Sequence, residues 1–312
     1  MNATVDAALA LWGLSGASYE LVAARENAVY RVTTGTGTYA LRLHRAGYRS
    51  DAELTSELLW MDAVGTGGVS VPAPVAAKSG AFLHCVDGVQ VDVLSWLPGD
   101  TLDTLLPQSN NKTQLKLFHD LGREMARLHA ASDRWQPPDQ FTRCVWDRDG
   151  LVGQTPLWGK FWDNPELTPH DRDLLISFRD RAYGDLATQS ETLDYGLIHA
   201  DLVGANVMAN DTDLLFIDFD DGGHGYRIFD VATALFKHAD APDYERLKRA
   251  LTDGYRTIRS IDLSSLELFM ALRAATYVGW NITRMDEDNG QTRNARFVKS
   301  ATLHAAAYLN GR

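Results

Sequence analysis

The stretch Tyr195–Asp221 constrains the fold most, because it consists of two apolar runs joined by a polar turn. We predict a short strand at Val207–Ala209, a turn, and a buried strand at Leu214–Phe219. Cross-strand partners in a hairpin sum to a nearly constant number, so Asn206 is expected almost opposite Asp218. The hairpin therefore predicts a meeting of polar side chains at one of its ends.

Asp201, Asp218 and Asp220 are the acids expected at that end. Asp220 should share a face with Asp218, because side chains on a strand alternate between two faces. Like-charged carboxylates do not ionise together unless a cation lies between them. Oxygen ligands without cysteine suit Mg²⁺, which completes its shell with water and phosphate oxygens. We therefore predict a Mg²⁺-phosphate site in which Asp201 accepts a proton from a hydroxyl group.

The order of His199, Asp201 and Asn206, followed by Asp218 and Asp220, resembles the catalytic loop and metal-binding segment of protein-kinase-like phosphotransferases. It is most similar to the branch with aminoglycoside phosphotransferases, choline kinases, type II homoserine kinases and bacterial stress-response Ser/Thr kinases. That branch usually reads His-Gly-Asp-x-His-Pro-x-Asn. The resemblance covers about residues 18–309 and implies that Asp201 is the catalytic base, with Asn206 and Asp218 as ligands of Mg²⁺. Asp220 is expected either to bind a second metal ion or to have a structural role through hydrogen bonds.

This chain has Val203 and Gly204 where the branch commonly has His-Pro. The change affects the shape of the loop and leaves the charged groups in place. We therefore expect the chemistry of the loop to be retained.

The resemblance implies an α+β, two-lobed protein-kinase-like fold with a small antiparallel-sheet N-lobe and a mainly helical C-lobe. We predict the N-lobe at residues 1–93, a hinge at residues 94–99 and the C-lobe at residues 100–312. The pair Pro98 and Gly99 is a strong breaker, and the composition changes there from strand-like to helical. In related folds the backbone at this crossover binds adenine, which implies contacts from Ser95 and Leu97.

Arg42 lies in a predicted strand and points away from its apolar face, so it requires an anionic partner. Glu53 and Glu57 lie four residues apart on one face of the next predicted helix, and either can supply it. By the resemblance, Arg42 stands where the family has its phosphate-contacting Lys, and Glu57 pairs with it, with Glu53 as the alternative. Because Arg is not equivalent to Lys, the choice between ATP and GTP stays open.

The loop at residues 24–27 lies where the family has its phosphate-covering loop, yet it contains no glycine. Asn27 and backbone N–H groups are the candidates for phosphate contact there.

The remaining elements follow from the spacing of apolar residues. We expect Gly222–Tyr226 to form a flexible turn, and the resemblance places Asp230 where it holds the start of the following helix. Further strands are expected at Tyr19–Ala23, Val29–Val32, Tyr39–Leu43, Val69–Val75, Gly80–Val86 and Val89–Trp96. Further helices are expected at residues 2–13, 51–64, 114–131, 168–188, 243–259, 264–285 and 291–309.

The functional hypothesis is an ATP-dependent phosphotransferase that moves the γ-phosphate to a hydroxyl group of a small metabolite. The acceptor is an amino alcohol such as homoserine or choline, or an amino sugar. One alternative is a Ser/Thr protein kinase of the stress-response type, although the span from Asp218 to the helix at Asp230 is short for a regulatory loop. A second alternative is a nucleotide-binding module with weak catalysis. The residues predict neither the identity of the acceptor nor the oligomeric state.

The composition narrows the partners. The formal net charge is −11 over 312 residues, and no basic run occurs, which argues against nucleic acid. Cys85 and Cys144 have neither a CxxC nor a zinc spacing, which predicts free thiols in a reducing compartment. No leader pattern occurs, and no apolar run approaches the roughly 18 residues of a membrane span. The expected location is the cytoplasm.

Overall fold

The structure, a computed structural model, describes residues 2–24, 27–210 and 213–311. The predicted loop at residues 24–27 and the predicted hairpin turn at residues 210–213 therefore lie partly outside the described residues. The chain divides into two compact units. The first unit comprises Met1–Pro107, Ala130–Arg143 and Ala205–Asp220, and the second comprises Gln108–His129, Cys144–Gly204 and Asp221–Arg312. The lobe boundaries and the hinge at residues 94–99 stay predictions.

The secondary structure alternates between strands and helices along the described chain. The strands are β1 Ser18–Ala24, β2 Asn27–Thr33, β3 Thr38–His44, β4 Leu83–Val86, β5 Val89–Ser95, β6 Asp100–Thr101, β7 Val145–Trp146, β8 Tyr195–Ile198, β9 Val207–Ala209, β10 Leu214–Phe216 and β11 Gly223–Tyr226. The α-helices are α1 Asn2–Leu11, α2 Asp51–Thr66, α3 Leu102–Leu105, α4 Asn111–Arg134, α5 Arg148–Val152, α6 Pro169–Gln189, α7 Arg227–Phe236, α8 Tyr244–Arg256, α9 Leu266–Asn281 and α10 Gly290–Leu309.

A five-stranded antiparallel sheet in the order β1-β2-β3-β5-β4 forms the centre of the first unit. The apolar face of α1 packs with Leu41 and Val93 in one buried cluster on this sheet. Side chains alternate along each strand. The residues next to these two in sequence, Arg42 and Asp92, therefore point to the opposite face, where they are register partners.

Helix α2 begins with a capping box. The hydroxyl of Ser50 accepts from the N–H of Glu53, and the carboxylate of Glu53 accepts from the N–H of Ser50 at 2.9 Å. Such a box satisfies two backbone donors that the first turn of a helix leaves open. The carboxylate of Glu53 is thereby engaged at the start of the helix, and Glu57 lies one turn further along.

The predicted strand Val69–Val75 is wrong. Within the described residues this segment contributes only an isolated bridge from Pro74 to Leu94. Pro72 and Pro74 explain the difference, because a proline has no N–H for a sheet ladder. The strand predicted at Gly80–Val86 is also shorter and begins at Leu83.

The second unit is mainly helical, and α9 packs against α7 and α10. The predicted flexible turn at Gly222–Tyr226 is wrong, because Gly223–Tyr226 is β11, the middle strand of a sheet in the order β7-β11-β8. Its glycines serve close packing: a Cβ atom on Gly223 would lie 2.1 Å from the carbonyl oxygen of Cys144. A Cβ atom on Gly225 would lie 2.5 Å from Cδ1 of Ile198.

The two units confirm the predicted α+β class, with the antiparallel sheet in one and the mainly helical packing in the other. No disulfide joins Cys85, which is exposed, and Cys144, which is half-buried. In the part of the chain that the structure describes, no helix combines the length and the apolar character needed to cross a membrane.

Candidate active site

The loop that carries Asp201 follows β8 in the second unit and is held by a carboxylate from α7. The side chain of Asp230 accepts from the N–H groups of His199 at 2.9 Å and Ala200 at 2.7 Å. The expectation that Asp230 holds the start of its own helix is wrong, since the N-cap position is Tyr226. A carboxylate one turn inside α7 instead fixes the backbone just before Asp201.

The Asp230 carboxylate also contacts His129, which is fully buried. Nε2 of His129 lies 3.0 Å from Oδ2 of Asp230, and Nδ1 lies 2.8 Å from the hydroxyl of Tyr255. Burial lowers the pKa of His129 to about 4, against the opposing effect of Asp230, so the ring is neutral near pH 7. His129 therefore orients Asp230 and has a structural role.

Ala200 has a left-handed backbone conformation, with φ of 65°. This conformation crowds a Cβ atom and costs about 1–2 kcal/mol for a residue other than glycine. The related branch usually has glycine at this place. The loop of this chain is therefore strained at the residue next to Asp201 and must be held by its neighbours.

Replacing Ala200 by Gly is expected to raise the free energy of unfolding by roughly 1 kcal/mol, because strain is removed at a smaller cost in chain entropy. Ala7→Gly is the control, since Ala7 is exposed in the middle of α1. There the same change should lower the free energy of unfolding by about 1 kcal/mol. Urea unfolding measures both, and a loss of stability in Ala200→Gly would contradict the assignment of strain.

Arg273 of α9 is a cation that contacts Asp201. Its Nη2 donates to Oδ1 of Asp201 and, at 2.8 Å, to the hydroxyl of Tyr277. Its Nη1 donates to the carbonyl oxygen of Ala200 at 3.2 Å. The Arg273 side chain is completely buried, whereas that of Asp201 is 23% exposed. Burial lowers the pKa of Arg273, but Tyr277 and Asp201 outweigh it and the net shift is upward.

Arg42 in the first unit forms a buried ion-pair network. Its Nε and Nη2 donate to the two carboxylate oxygens of Asp92 at 2.8 and 2.9 Å. Its Nη1 donates to Oε1 of Glu57 at 2.8 Å. Of the two acids predicted as partners, Glu57 is the one that pairs, because Glu53 is engaged in the capping box.

The network continues through Arg143. Its Nη1 lies 3.3 Å from Oε2 of Glu57, and its Nη2 donates to the carbonyl oxygens of Phe219 at 2.8 Å and Asp220 at 2.7 Å. Arg49, just before α2, also donates to the carbonyl of Asp220, at 2.9 Å. The segment after Asp218 is thus joined to α2 by two arginines.

The acids of the network are ionised. Burial raises the pKa of Asp92, but Arg42 and then His44 outweigh it and hold the pKa at about 2. Arg42 and Arg143 likewise lower the pKa of Glu57 against its burial. Asp220 differs, because burial and the charge of Glu57 raise its pKa.

The predicted hairpin is present, but it is shorter than expected. β9 pairs with β10 in the register Val207 to Phe216, and the N–H of Ile217 donates to the carbonyl of Asn206 at 3.0 Å. Asn206 is thereby paired with the neighbour of Asp218, as the sequence predicts. The strand ends at Phe216, however, and the expected extent to Phe219 is wrong.

Asp218 has a left-handed backbone with φ of 65°, so the alternation of strand side chains does not apply after it. Asp218 is exposed, whereas Asp220 is buried. Oδ1 of Asp220 is 3.9 Å from Nε of Arg49 and has no hydrogen-bond partner in the described residues. The shared face that was predicted for the two acids is therefore not formed by a strand, and their common role stays a prediction.

The oxygen atoms of the segment that contains Asp218 and Asp220 fit a hard divalent cation. A buried carboxylate oxygen without a hydrogen-bond donor is stabilised by a nearby cation. Over residues 2–24, 27–210 and 213–311, no three His, Cys, Asp or Glu side chains are grouped to hold a metal ion. The predicted set of Asn206, Asp218 and Asp220 has only two carboxylates. Such a set suits Mg²⁺, which takes its other ligands from water and phosphate.

The other predicted nucleotide contacts lie in the first unit. Oδ1 of Asn27 lies 3.1 Å from Nδ1 of His44, whose Nε2 lies 2.6 Å from Asp92. The N–H of Ser95 donates to the carbonyl of Ala73 at 2.8 Å, and Leu97 is half-buried. Their contacts with a nucleotide stay predictions.

The sequence reasoning missed Asp92, Arg143 and Arg273. Asp92 could have been found from the sequence, because an acid between two valines of a predicted strand requires a cationic partner. Arg42 in a neighbouring predicted strand already required an anionic partner. Arg143 lies in a Trp- and Pro-rich stretch without periodicity, and Arg273 lies in an apolar helix far from Asp201 in sequence. A charged residue inside an apolar helix is a signal of a buried partner, but it does not name that partner.

Residues 19–264 match the sequence pattern of the Phosphotransferase enzyme family, APH. The chain belongs to this family. The predicted family and the predicted phosphotransferase activity are therefore confirmed.

Relatives of this phosphotransferase act on different compounds. A homoserine kinase of Methylobacillus glycogenes is 28% identical over 75% of this chain and 69% of that protein. The amicoumacin kinase of Bacillus subtilis (strain 168) is 25% identical over 73% of this chain and 66% of that protein. The solved structure of a microcompartment-associated aminopropanol kinase superposes with a TM-score of 0.85 and 28% identity, covering 100% of this chain and 98% of that one. This likeness confirms the predicted protein-kinase-like fold.

Proposed function

We propose that this phosphotransferase transfers the γ-phosphate of ATP to the hydroxyl group of a small amino alcohol. The observation that carries the proposal is the likeness to the aminopropanol kinase, which extends over the whole chain. The relatives include homoserine kinases, and homoserine also carries an amino group and a hydroxyl group. These relatives therefore support the same class of acceptor. The acceptor we favour is an amino alcohol of the aminopropanol type.

In this proposal Asp201 orients the acceptor hydroxyl and takes its proton, since a positioned carboxylate is the usual base in such reactions. Arg42 contacts the phosphates. Three of the five N–H donors of its guanidinium form hydrogen bonds to Asp92 and Glu57. The other two N–H donors can form hydrogen bonds to a phosphate oxygen. Asn27 contacts the same phosphates, and the backbone of Ser95 and Leu97 contacts the adenine.

Asn206 and Asp218 would hold Mg²⁺, with Asp220 as a further ligand or as a structural acid beside them. The ion, when bound, neutralises charge on the nucleotide phosphates. The chain contributes alignment: the pairing of Asn206 with Ile217 and the contacts of Arg143 to the carbonyls after Asp218 fix where the ligands lie. Alignment of this kind supplies much of the catalysis in phosphoryl transfer.

A small acceptor agrees with the short span after Asp218. Only eight residues separate Asp218 from α7, and four of them form β11. A protein kinase that recognises a peptide uses a longer, adjustable segment at this place. The short span therefore favours a small acceptor over a peptide.

A panel of acceptors tests the proposal. ADP release with MgATP should be fastest with 1-amino-2-propanol or ethanolamine, ahead of homoserine, choline and an aminoglycoside. The matched control is 2-propanol, which lacks the amine. We expect it to be at least about 100-fold poorer in kcat/KM, because the groups that bind the amine would be left unpaired. Equal rates with 1-amino-2-propanol and 2-propanol would refute the amino-alcohol proposal. Phosphorylation of a protein substrate alone would also refute it.

A further inference from the structure

Phosphoryl transfer by itself does not explain the contacts of Arg273 with the loop of the proposed base. It contacts the loop at both Oδ1 of Asp201 and the carbonyl oxygen of Ala200. A completely buried guanidinium is expensive unless it is paired, and its partner here is the side chain with the proposed chemical role.

The loop is held from two sides. Asp230 accepts from the N–H of Ala200 at 2.7 Å, while Arg273 donates to the carbonyl of the same residue at 3.2 Å. A left-handed alanine persists only where its surroundings fix it. Asp230 and Arg273, which carry opposite charges, therefore hold the backbone of Ala200 on both sides. The conformation of Ala200 in turn determines the direction of the Asp201 side chain.

The orientation of Arg273 is itself fixed. Its guanidinium carbon lies 4.2 Å from the ring centre of Tyr277 and 4.9 Å from that of Trp158. The hydroxyl of Tyr277 accepts from Nη2, the same nitrogen that donates to Asp201. Stacked rings and hydrogen bonds leave a planar guanidinium little freedom to turn.

We infer that Arg273 is a positioning residue for phosphoryl transfer, which fixes the Asp201 carboxylate and the Ala200 carbonyl in the orientation that the acceptor hydroxyl requires. The inference rests on the proposed function. It assigns a role in turnover to a residue of α9, remote in sequence from the loop. Tyr277 supports that role by holding the guanidinium.

Arg273→Met tests the inference, because methionine fills much of the space without the charge. We expect kcat to fall by about 100-fold, since a small misplacement of a catalytic group costs roughly that much. KM for MgATP and its affinity by calorimetry should stay within about 3-fold, since the contacts of Arg273 are with the loop of the base. An unchanged kcat, or a loss confined to KM for MgATP, would overturn the inference.

Arg179→Met is the matched control. Arg179 donates to a carbonyl, that of Val152, and to a carboxylate, that of Asp180, each at 3.0 Å. It also stacks on Trp162 at 4.7 Å. The kinds of contact are the same, but none is to the loop of Asp201. Its kcat should stay within about 2-fold of the original protein, and a loss as large as that of Arg273→Met would count against a specific role.

Combination with Asp201→Asn separates the inference from the proposed function. If Arg273 acts through Asp201, Arg273→Met in the Asp201→Asn background should lower kcat by no more than about 3-fold further. Full additivity would overturn the inference. If Asp201→Asn alone keeps full activity, the proposed function fails instead, whatever Arg273 does.

Two milder variants cover the case in which Arg273→Met does not fold. Tyr277→Phe removes one hydrogen bond to Arg273 and should lower kcat about 5-fold with unchanged MgATP affinity. Arg273→Lys keeps the positive charge but loses the planar guanidinium that contacts both Oδ1 of Asp201 and the carbonyl oxygen of Ala200. It should therefore be less active than the original protein but more active than Arg273→Met. Full activity in both variants would overturn the inference.

Discussion

Replacing Asp201 by Asn is expected to lower kcat by about 10²–10⁴-fold, because a positioned general base contributes about that much to a proton-transfer step. Asparagine keeps the size of the side chain and can still accept from Arg273 through its amide oxygen. MgATP affinity should therefore stay nearly unchanged. Single-turnover kinetics with the preferred amino alcohol, together with calorimetry for MgATP, measure the two quantities separately.

Asp194→Asn is the control for that variant. Asp194 is an exposed acid of the same unit that is also paired with an arginine, since Arg259 Nη2 lies 2.9 Å from its Oδ2. Its removal should leave kcat within about 2-fold, as exposed pairs contribute little. If Asp201→Asn lost MgATP binding while turnover of the bound complex stayed normal, the role of Asp201 as base would be rejected.

Replacing Arg42 by Met is expected to lower the free energy of unfolding by about 3–5 kcal/mol, because it leaves two buried carboxylates without their main cation. Asp92 is completely buried and loses both of its bonds to the guanidinium, and Glu57 loses one. Denaturant unfolding followed by circular dichroism measures the change. MgATP affinity should fall as well if Arg42 contacts the phosphates.

Arg31→Met is the control for Arg42, because Arg31 lies on β2 of the same sheet. Its pair with Glu20 is 3.7 Å long and exposed, so the loss should be within about 1 kcal/mol. A second test uses Arg42→Met with Asp92→Asn, which removes one of the stranded charges. The double variant should be more stable than Arg42→Met alone, and further destabilisation would show that the buried charge is not the cause.

The sequence predicts the parts of this fold that depend on local periodicity. The amphipathic pattern gives α4, and the Thr168 cap with Pro169 gives the start of α6. Alternation gives β1 to β3, and the spacing of apolar residues gives α8 to α10. In these cases the signal and the structure that it specifies lie in the same stretch of chain.

The errors occur where a distant contact decides the structure. Gly222–Tyr226 has the composition of a turn, but Gly223–Tyr226 is a central strand, because Gly223 and Gly225 leave room for atoms of residues that are far away in sequence. Asp230 has the position of a helix cap but binds the loop before Asp201. No window of residues contains both partners, so neither result could be predicted locally.

The candidate site shows the same division. The backbone pairing of Asn206 beside Asp218 and the pairing of Arg42 with an acid of α2 follow from hairpin register and helix spacing, and the metal-binding roles of Asn206 and Asp218 stay predictions. Arg143 and Arg273 do not, because each reaches its partner from an element with no sequence link to it. Ala200 was visible as a departure from the usual His-Gly-Asp order, but its left-handed conformation appears only in the structure.

Three contacts connect helix α2 with the short segment of Phe219 and Asp220. Arg49 before its first turn and Arg143 beside Glu57 both donate to the carbonyl of Asp220, and Trp60 packs edge-on against Phe219 at 5.1 Å. In protein kinases the equivalent helix is moved by regulators to switch the enzyme on and off. Here an outward swing would have to break every one of these attachments together. We therefore expect an enzyme that is constitutively competent, whose output in the cell follows the supply of its two substrates.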